Sequence, residues 1–446
     1  MNTNNKVSTK HAFFFALPSL VSGILERPAF YIIPSIYAKY YNLDLATIGT
    51  ILFIARIFDV ITDPLIGFLS DKTKTAIGSR KPWLIPGTLI TSISVYYLFN
   101  PIGEVSAFYF AIWFLTLFIG WTMLEIPMAA WQTELTSDYD DRTRVISYRT
   151  IFNLSGGLLF AVFPLLPMFS STEFNPEVMA NIGVLIVVVL PIVVLSAIYI
   201  VPHKQVSKKS SVSEPLTDVL KSIAKNKPMQ IYLVCFLFTG IGFGALNSLV
   251  FLFSDTYLLI GDKFTWILIT ISVANVIAVP IWNRLFNIWQ RHHGWAIGVL
   301  IAIASVFFTV FLTPNEFSFY GMLIIALVYG ISIPAYYIAA PALISDIVDY
   351  EQFKTGQNRA GQFNSIHYFT MKLNNAIGGA VAFWVLAIFN YQAKETVHTT
   401  EEIIGLKLSM TGIPLILIII SALIIWHFPL SKKKQTTISK YNARKQ

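Results

Sequence analysis

Charged residues are scarce in this chain, and cysteine is nearly absent. Asp, Glu, Lys and Arg together make up 13% of the sequence, whereas soluble domains carry roughly 25%. The single cysteine, Cys235, lies in an apolar stretch, so the sequence has neither a disulfide framework nor the spacing of a metal site. We expect Cys235 to be a packed core thiol.

Motifs of membrane-embedded enzymes and channels are also missing. The sequence contains no HExxH, GxSxG or phosphate-binding loop pattern. A filter-like segment of the kind that forms a channel pore is absent as well. We therefore expect no enzymatic activity and no cofactor, and we keep a membrane-embedded enzyme only as an alternative.

Apolar residues are abundant instead, and they come in long runs. Hydrophobic residues make up 55% of the chain, with a mean hydropathy of +0.63. Each run approaches the ~20 residues that a helix needs to cross a bilayer. The first run is too long for the core of a signal peptide, so we expect the protein to keep it as a helix. The sequence predicts an all-α polytopic membrane protein with twelve spans, at 12–41, 47–70, 83–101, 107–135, 145–171, 178–202, 229–258, 264–289, 295–314, 317–345, 362–391 and 405–428.

The net charge of +8 is distributed unevenly between the loops. Alternate loops carry acidic residues with few lysines: Glu104, Glu173, Glu177, Asp262, Glu316, Glu395, Glu401 and Glu402. The other loops and the tail are basic: Lys6, Lys10, Lys72, Lys74, Arg80, Lys81, Arg142, Arg144, 204–227, Arg291, Lys354, Arg359 and 432–445. This positive-inside pattern predicts a multi-pass protein of the cytoplasmic (inner) membrane with both termini in the cytoplasm. The expected partner of the basic charge is the lipid bilayer rather than nucleic acid.

The polar stretch between the sixth and seventh spans divides the predicted helices into two sets of six. Asp59 and Pro64 in the second span align with Asn275 and Pro280 in the eighth, which indicates weakly similar halves. Repeated halves of this kind are a transporter architecture. The predicted divisions are a first half at 1–202, a central loop at 203–228, a second half at 229–430 and a basic tail at 431–446.

Two aspartates inside the second predicted span are the strongest functional signal. Asp59 and Asp63 lie four residues apart, so both face the same side of a helix. Neighbouring carboxylates at membrane depth favour a cation or a proton between them. With Thr62, Thr122 and Glu125 they form the predicted cation site. Sodium, lithium and a proton are all compatible with these oxygens, and the alternative is that the charges only pair to hold helices together.

Charged residues in two loops are candidates for a gate. Asp71, Arg80 and Lys81 lie between the second and third spans, in a segment similar to the major facilitator loop signature. Asp141 and Arg142 follow the fourth span. We expect salt bridges here that break as the transporter changes state, and a solvated loop is the alternative.

Several motifs together resemble one transporter family. The segment Ala-Arg-Ile-Phe-Asp-Val-Ile-Thr-Asp-Pro-Leu-Ile-Gly at 55–67 is similar to the second-helix motif of the glycoside–pentoside–hexuronide:cation symporters, the melibiose carriers. Glu125-Ile126-Pro127 resembles their fourth-helix motif, and Arg149 and Lys372 resemble their fifth-helix arginine and eleventh-helix lysine. The resemblance extends from about residue 40 to residue 380.

The resemblance implies a sugar:cation symporter with the major facilitator fold, for which the substrate is a small sugar or glycoside and the partner a monovalent cation. It places Asp59 and Asp63 at the cation and Glu125 between cation and sugar, with Arg149 and Lys372 lining the cavity. Transport of another amphiphile, such as a lysolipid, is the alternative, since eukaryotic relatives carry lipids.

The sequence departs from the family at positions that would contact sugar. Glu26 lies about one turn from the position of the family's first-helix acid, and Ala129 stands where the family has tryptophan, with Trp131 two places later. Aromatic rings stack on sugars, so Trp131 and Tyr337 are substrate candidates, although core and lipid-facing positions are the common alternatives for such residues.

Overall fold

The computed structural model describes residues 7–135, 139–202, 222–357, 359–395 and 397–445. The predicted all-α membrane architecture is confirmed, since the regular structure in these ranges is helical. Eleven helices among them are long and apolar enough to cross a membrane. They match eleven of the twelve predicted spans, while the first predicted span, 12–41, corresponds to a succession of shorter helical segments. The count of twelve therefore stays a prediction.

The chain divides into two compact units, Met1–Ser210 and Ser211–Gln446. In the first unit, a π-helix at Pro28–Ile32 joins α2 to α3, and a 3₁₀ turn at Phe163–Leu165 follows α7. Its α-helices are α1 (Thr9–Ala16), α2 (Pro18–Arg27), α3 (Ile33–Tyr40), α4 (Leu45–Lys72), α5 (Lys81–Phe99), α6 (Ala107–Leu135), α7 (Tyr139–Val162) and α8 (Pro176–Ile200).

The second unit contains two further π-helices, at Phe253–Tyr257 and Leu408–Gly412, and 3₁₀ turns at Gly261–Lys263 and Phe308–Phe311. Its α-helices are α9 (Lys227–Leu252), α10 (Phe264–Ile288), α11 (Arg291–Phe307), α12 (Ser318–Ser332), α13 (Pro334–Thr355), α14 (Ala360–Ile388), α15 (Thr400–Lys407), α16 (Ile413–Trp426) and α17 (Lys432–Lys445).

Helix α4 shows how the sequence sets the orientation of a span. The Asp44 carboxylate caps the helix by accepting a hydrogen bond from the amide of Thr47 at 2.8 Å, which satisfies one of the free amides of the first turn. Two sets of residues then occupy opposite sides. The buried set is Ala55, Asp59, Thr62, Ile66 and Ser70, and the exposed set is Ile57, Ile61, Leu65 and Phe68. The apolar side of α4 is therefore exposed, and Asp59 points into the protein.

The two units repeat one order of helix packing. In the first unit α2 packs on α7, α5 on both α6 and α8, and α4 on α6. In the second unit α9 packs on α14, α11 on both α13 and α16, and α10 on α12. When the helices are counted from the start of each unit, these are the same pairs of spans. The weak similarity between the halves of the sequence thus corresponds to a repeated packing scheme.

Two glycines allow α2 and α7 to approach at backbone distance. A Cβ atom on Gly156 would lie 2.0 Å from the carbonyl oxygen of Leu20, and one on Gly23 would lie 2.0 Å from that of Asn153. Small residues at facing positions are the usual means of close helix packing in membranes. This contact holds together the two helices that carry Ser19, Ser22 and Arg149.

We expect Gly156→Ala to lower the free energy of unfolding by at least about 1–3 kcal/mol, because the added methyl group must displace backbone rather than a side chain. Thermal unfolding of the purified protein measures the effect. Gly361→Ala is the matched control, since a Cβ atom there meets nothing within 4 Å. Equal stability of the two variants would contradict the close contact.

Candidate functional site

Asp59 forms a buried ion pair with an arginine of its own helix. An Arg56 Nη1 atom donates to Asp59 Oδ2 at 2.8 Å, and the two residues are 7% and 2% exposed. The guanidinium also lies 4.4 Å from the centre of the Phe118 ring, a favourable cation–π distance. The structure thus gives Asp59 a resident positive partner, in line with the alternative that the charges of this span pair with one another.

Asp63 lies one turn further along α4 and contacts α6. The hydroxyl of Thr122 donates to Asp63 Oδ1 at 3.0 Å, and Asp63 itself is half-buried. The neighbouring Thr62 hydroxyl is buried and has no hydrogen-bond partner among the described residues. Three side chains of the predicted cation site therefore bring oxygen atoms to neighbouring positions: Thr62 and Asp63 on α4, and Thr122 on α6.

An open pocket of about 300 Å³ lies among α2, α6 and α7. At its wall Glu125 accepts hydrogen bonds from Ser22 Oγ at 2.8 Å and from Arg149 Nη2 at 3.1 Å. Arg149 also donates to Gln132 Oε1 at 2.7 Å and to Ser19 Oγ at 3.1 Å. Glu125 retains 36% side-chain exposure, so it faces the pocket. The remaining lining residues are Ile146, Thr150, Asn153 and Leu154.

Helix α6 joins the two polar clusters. Thr122, which binds Asp63, and Glu125, which binds Arg149, are three residues apart on one helix, and residues at this spacing share a helix face. In the described chain no group of three or more acidic, histidine or cysteine side chains is arranged to hold a metal ion. Asp59, Asp63 and Glu125 thus lie in two linked clusters rather than around one point.

The predicted substrate residues fall in different places. Glu125 and Arg149 meet in the pocket, whereas Glu26 is exposed and is not among the residues that line it. Trp131 is 2% exposed and packs edge-on against Phe15 with ring centres 5.2 Å apart, so it is a core residue of the first unit.

The two other substrate candidates belong to the second unit. Tyr337 is 59% exposed on α13, and Lys372 is half-buried on α14. Neither belongs to the pocket formed by α2, α6 and α7.

Four residues that contribute polar groups to these clusters were not predicted from the sequence. Ser19 and Ser22 on α2 and Gln132 on α6 line the pocket, and Glu134 belongs to the loop cluster described below. Gln132 lies seven residues after Glu125 and therefore on the same helix face, which is a signal that sequence periodicity offers. The serines carry no such signal, because serine is common in membrane helices.

Arg80 is the centre of a cluster at the ends of α4 and α6. Its guanidinium pairs with Asp71 and, at 2.7 Å, with Glu134 Oε1, and it donates to Ser70 Oγ at 2.8 Å. Burial alone lowers the pKa of Arg80, but the hydrogen bonds to Glu134 and Asp71 outweigh burial and raise the pKa above its ordinary value. Arg80 therefore stays charged and ties two helix ends together.

The other predicted gate residues make different contacts. Lys81 donates to the carbonyl oxygens of Ile198 and Val201, at 2.7 and 2.6 Å, and so binds the end of α8. Asp141 accepts from the amide of Val7 at 2.7 Å and pairs with Arg144 at 2.9 Å. The Arg142 side chain lies outside the described residues.

Each unit contains helices that are long and apolar enough to span a membrane, and the first unit holds a buried ion pair and a polar pocket. The chain is similar in fold to a D-xylose–proton symporter, with a TM-score of 0.69 at 16% identity over 95% of this chain and 98% of that one. At this identity the likeness shows the fold alone.

The chain belongs to the MFS/sugar transport protein family, whose model matches residues 14–432. The putative glycoside/cation symporter YagG of Escherichia coli (strain K12) is 24% identical over 92% of this chain and 90% of its own length. Sodium-dependent lysophosphatidylcholine symporter 1 of Gallus gallus is also 24% identical, over 90% of this chain and 83% of its own length. The predicted resemblance to cation symporters is confirmed at the level of the family.

Replacing Arg56 alone tests the buried pair. We expect Arg56→Met to lower the free energy of unfolding by about 3–5 kcal/mol, because it leaves the Asp59 carboxylate buried without its guanidinium. The double variant Arg56→Met/Asp59→Leu removes both charges and is expected to recover most of that loss. Thermal unfolding of both purified variants provides the measurement. A double variant as unstable as the single one would contradict the pairing.

Proposed function

We propose that this protein is a secondary active transporter that couples the entry of a sugar or glycoside to a monovalent cation by alternating access. The observation that carries the proposal is the link through α6. One face of this helix binds Asp63 through Thr122 and lines the polar pocket through Glu125. A change at the cation cluster therefore acts directly on the wall of the pocket.

Charge and ligand chemistry support cation binding on α4. The stretch 47–70 of α4 contains the carboxylates Asp59 and Asp63 together with the guanidinium of Arg56. Carboxylate charge at membrane depth is costly unless it is balanced, and a bound monovalent cation or a proton balances it. Asp63, Thr62 and Thr122 offer a carboxylate and two hydroxyl oxygens, which suit sodium or lithium, and the carboxylate by itself suits a proton.

The pocket chemistry supports a polyhydroxylated substrate. Glu125 and Arg149 present charged hydrogen-bonding groups, and Ser19, Ser22 and Gln132 add neutral ones. A cavity of about 300 Å³ lies at the lower end of the range of small-molecule sites. A sugar hydroxyl can both donate to Glu125 and accept from Arg149, and in doing so it would replace part of their ion pair.

Coupling follows from the shared helix. A cation bound at Asp63 also takes the Thr122 hydroxyl oxygen as a ligand, and so acts on the rotation of α6 that positions Glu125. Thermodynamic linkage requires that the cation raise sugar affinity by the same factor as the sugar raises cation affinity. In this proposal the Arg80 cluster is a gate that opens and closes as the loaded site alternates between the two sides, with the termini in the cytoplasm of an inner-membrane protein.

A lysolipid or similar amphiphile is the second candidate substrate, because a lysophosphatidylcholine symporter is among the relatives. Uptake into vesicles decides between the two. The panel contains labelled sugars, glycosides, uronides and lysophosphatidylcholine, and each is tested under a sodium gradient and a proton gradient separately. If lysophosphatidylcholine is taken up and none of the sugars, glycosides or uronides is, the substrate is a lysolipid. That result would not contradict the proposed cation site.

Asp63→Asn is expected to abolish concentrative uptake, because the neutral amide cannot balance a cation. Exchange of labelled for unlabelled substrate should persist, since exchange needs no gradient coupling. Vesicle uptake and exchange assays measure the two rates. Glu104→Gln, which removes an exposed loop carboxylate, is the matched control and should keep both. Undiminished concentrative uptake by Asp63→Asn would refute the proposed cation site.

Thr122→Val tests the link between the clusters. We expect it to raise the cation concentration for half-maximal uptake about tenfold, or about 1.4 kcal/mol, because valine removes one of the three oxygen ligands proposed for the cation. Substrate affinity without the cation should change less. Thr122→Ser keeps the hydroxyl and is expected to restore wild-type behaviour. If valine and serine behave alike, Thr122 does not take part in coupling.

A further inference from the structure

All the charged side chains of helix α17 are positive. The segment 431–446 contains Lys432, Lys433, Lys434, Lys440, Arg444 and Lys445 and no acidic residue. One side of the helix is buried, with Ile438 and Asn442 at 7% and 9% exposure. Lys432, Lys433 and Lys434 are exposed, and we call these three residues the tail patch.

The helix is held in place by the end of α13. Gln435 Nε2 donates to Asp349 Oδ2 at 2.8 Å, and Asn442 Nδ2 donates to the carbonyl oxygen of Asp349 at 2.9 Å. The ring of Tyr441 meets that of Phe353 edge-on at 5.0 Å. The tail patch is therefore presented from a docked helix, so its charges do not have to be ordered when a ligand binds.

Tryptophans mark the level of the membrane surface beside the tail patch. Trp426 ends α16 and is 42% exposed, and Trp289 follows α10 and is 39% exposed. Tryptophan is enriched at the boundary between hydrocarbon and headgroups. Lys432 Nζ donates to the carbonyl oxygen of Asn287 at 2.6 Å, two residues before Trp289. The tail patch thus lies where this end of the second unit leaves the hydrocarbon layer.

We infer that the tail patch binds the headgroups of anionic phospholipids. Clusters of basic residues next to a membrane helix attract anionic lipid, each contributing through its proximity to the surface charge. A headgroup phosphate at this level is already anchored by its acyl chains, whereas a soluble phosphate would have to be captured by lysines on an open face. Because α17 packs on α13, a bound lipid also stabilises the end of α13.

The test is a binding titration on the purified full-length protein in detergent. Native mass spectrometry counts bound dioleoyl phosphatidylglycerol, with dioleoyl phosphatidylcholine as the zwitterionic comparison. We expect the native protein to bind phosphatidylglycerol tightly and phosphatidylcholine weakly. In the triple variant Lys432→Gln/Lys433→Gln/Lys434→Gln, each neutralised lysine is expected to lower the affinity for phosphatidylglycerol about fivefold. Phosphatidylglycerol should raise the unfolding temperature of the native protein but not that of this variant.

A variant with the same change in net charge is the control. Lys10→Gln/Lys225→Gln/Lys227→Gln neutralises three exposed lysines elsewhere and is expected to bind phosphatidylglycerol as the native protein does. Equal weakening in both variants would show diffuse attraction and overturn the site. Displacement of the lipid by millimolar glycerol 3-phosphate would also overturn it, because the site would then be one for soluble phosphate.

Discussion

The structure depends on how negative charge is balanced inside α4. A carboxylate at membrane depth needs a positive partner, and the chain supplies one of its own, since Arg56 pairs with Asp59 in the core of the first unit. Asp63 is the second carboxylate of the stretch 47–70 and is half-buried. In our proposal Arg56 is the structural partner of Asp59, and Asp63 is the acid that binds the exchangeable cation.

In the proposed mechanism, coupling between cation and substrate needs no long pathway. Asp63 contacts Thr122, and one helical turn separates Thr122 from Glu125 at the wall of the pocket. A rigid helix transmits rotation without loss over such a distance, and α6 is held on both sides by its packing on α4 and α5. The close contact at Gly23 and Gly156 fixes the opposite wall, so movement of Glu125 changes the shape of the pocket rather than being absorbed by it.

Sequence patterns predicted the parts of the fold and site that depend on local chemistry. Hydropathy predicted the positions of the eleven spans that the structure shows in the described residues, and helical spacing predicted that Asp59 and Asp63 lie on one face of α4. Family motifs singled out Glu125 and Arg149, and their contact is visible only in the structure. The pairing of Arg56 with Asp59 was open to prediction from their spacing of three residues. The burial of Trp131 and the role of Glu134 beside Arg80 depend on the packing of separate helices, which spacing along one chain does not reveal.

The repeated packing of the two units contrasts with their unequal chemistry. Asn275, which aligns with Asp59, donates its side-chain amide to the carbonyl oxygen of Ile271 on its own helix at 3.1 Å, so it needs no counter-charge. The second unit buries acids at other positions, and one of them, Glu351, binds Ser222, Asn226 and Arg359. A scheme of helix packing can therefore be kept in both halves while the proposed cation site is confined to one. The packing depends on small and apolar residues, and the proposed site depends on a few polar positions.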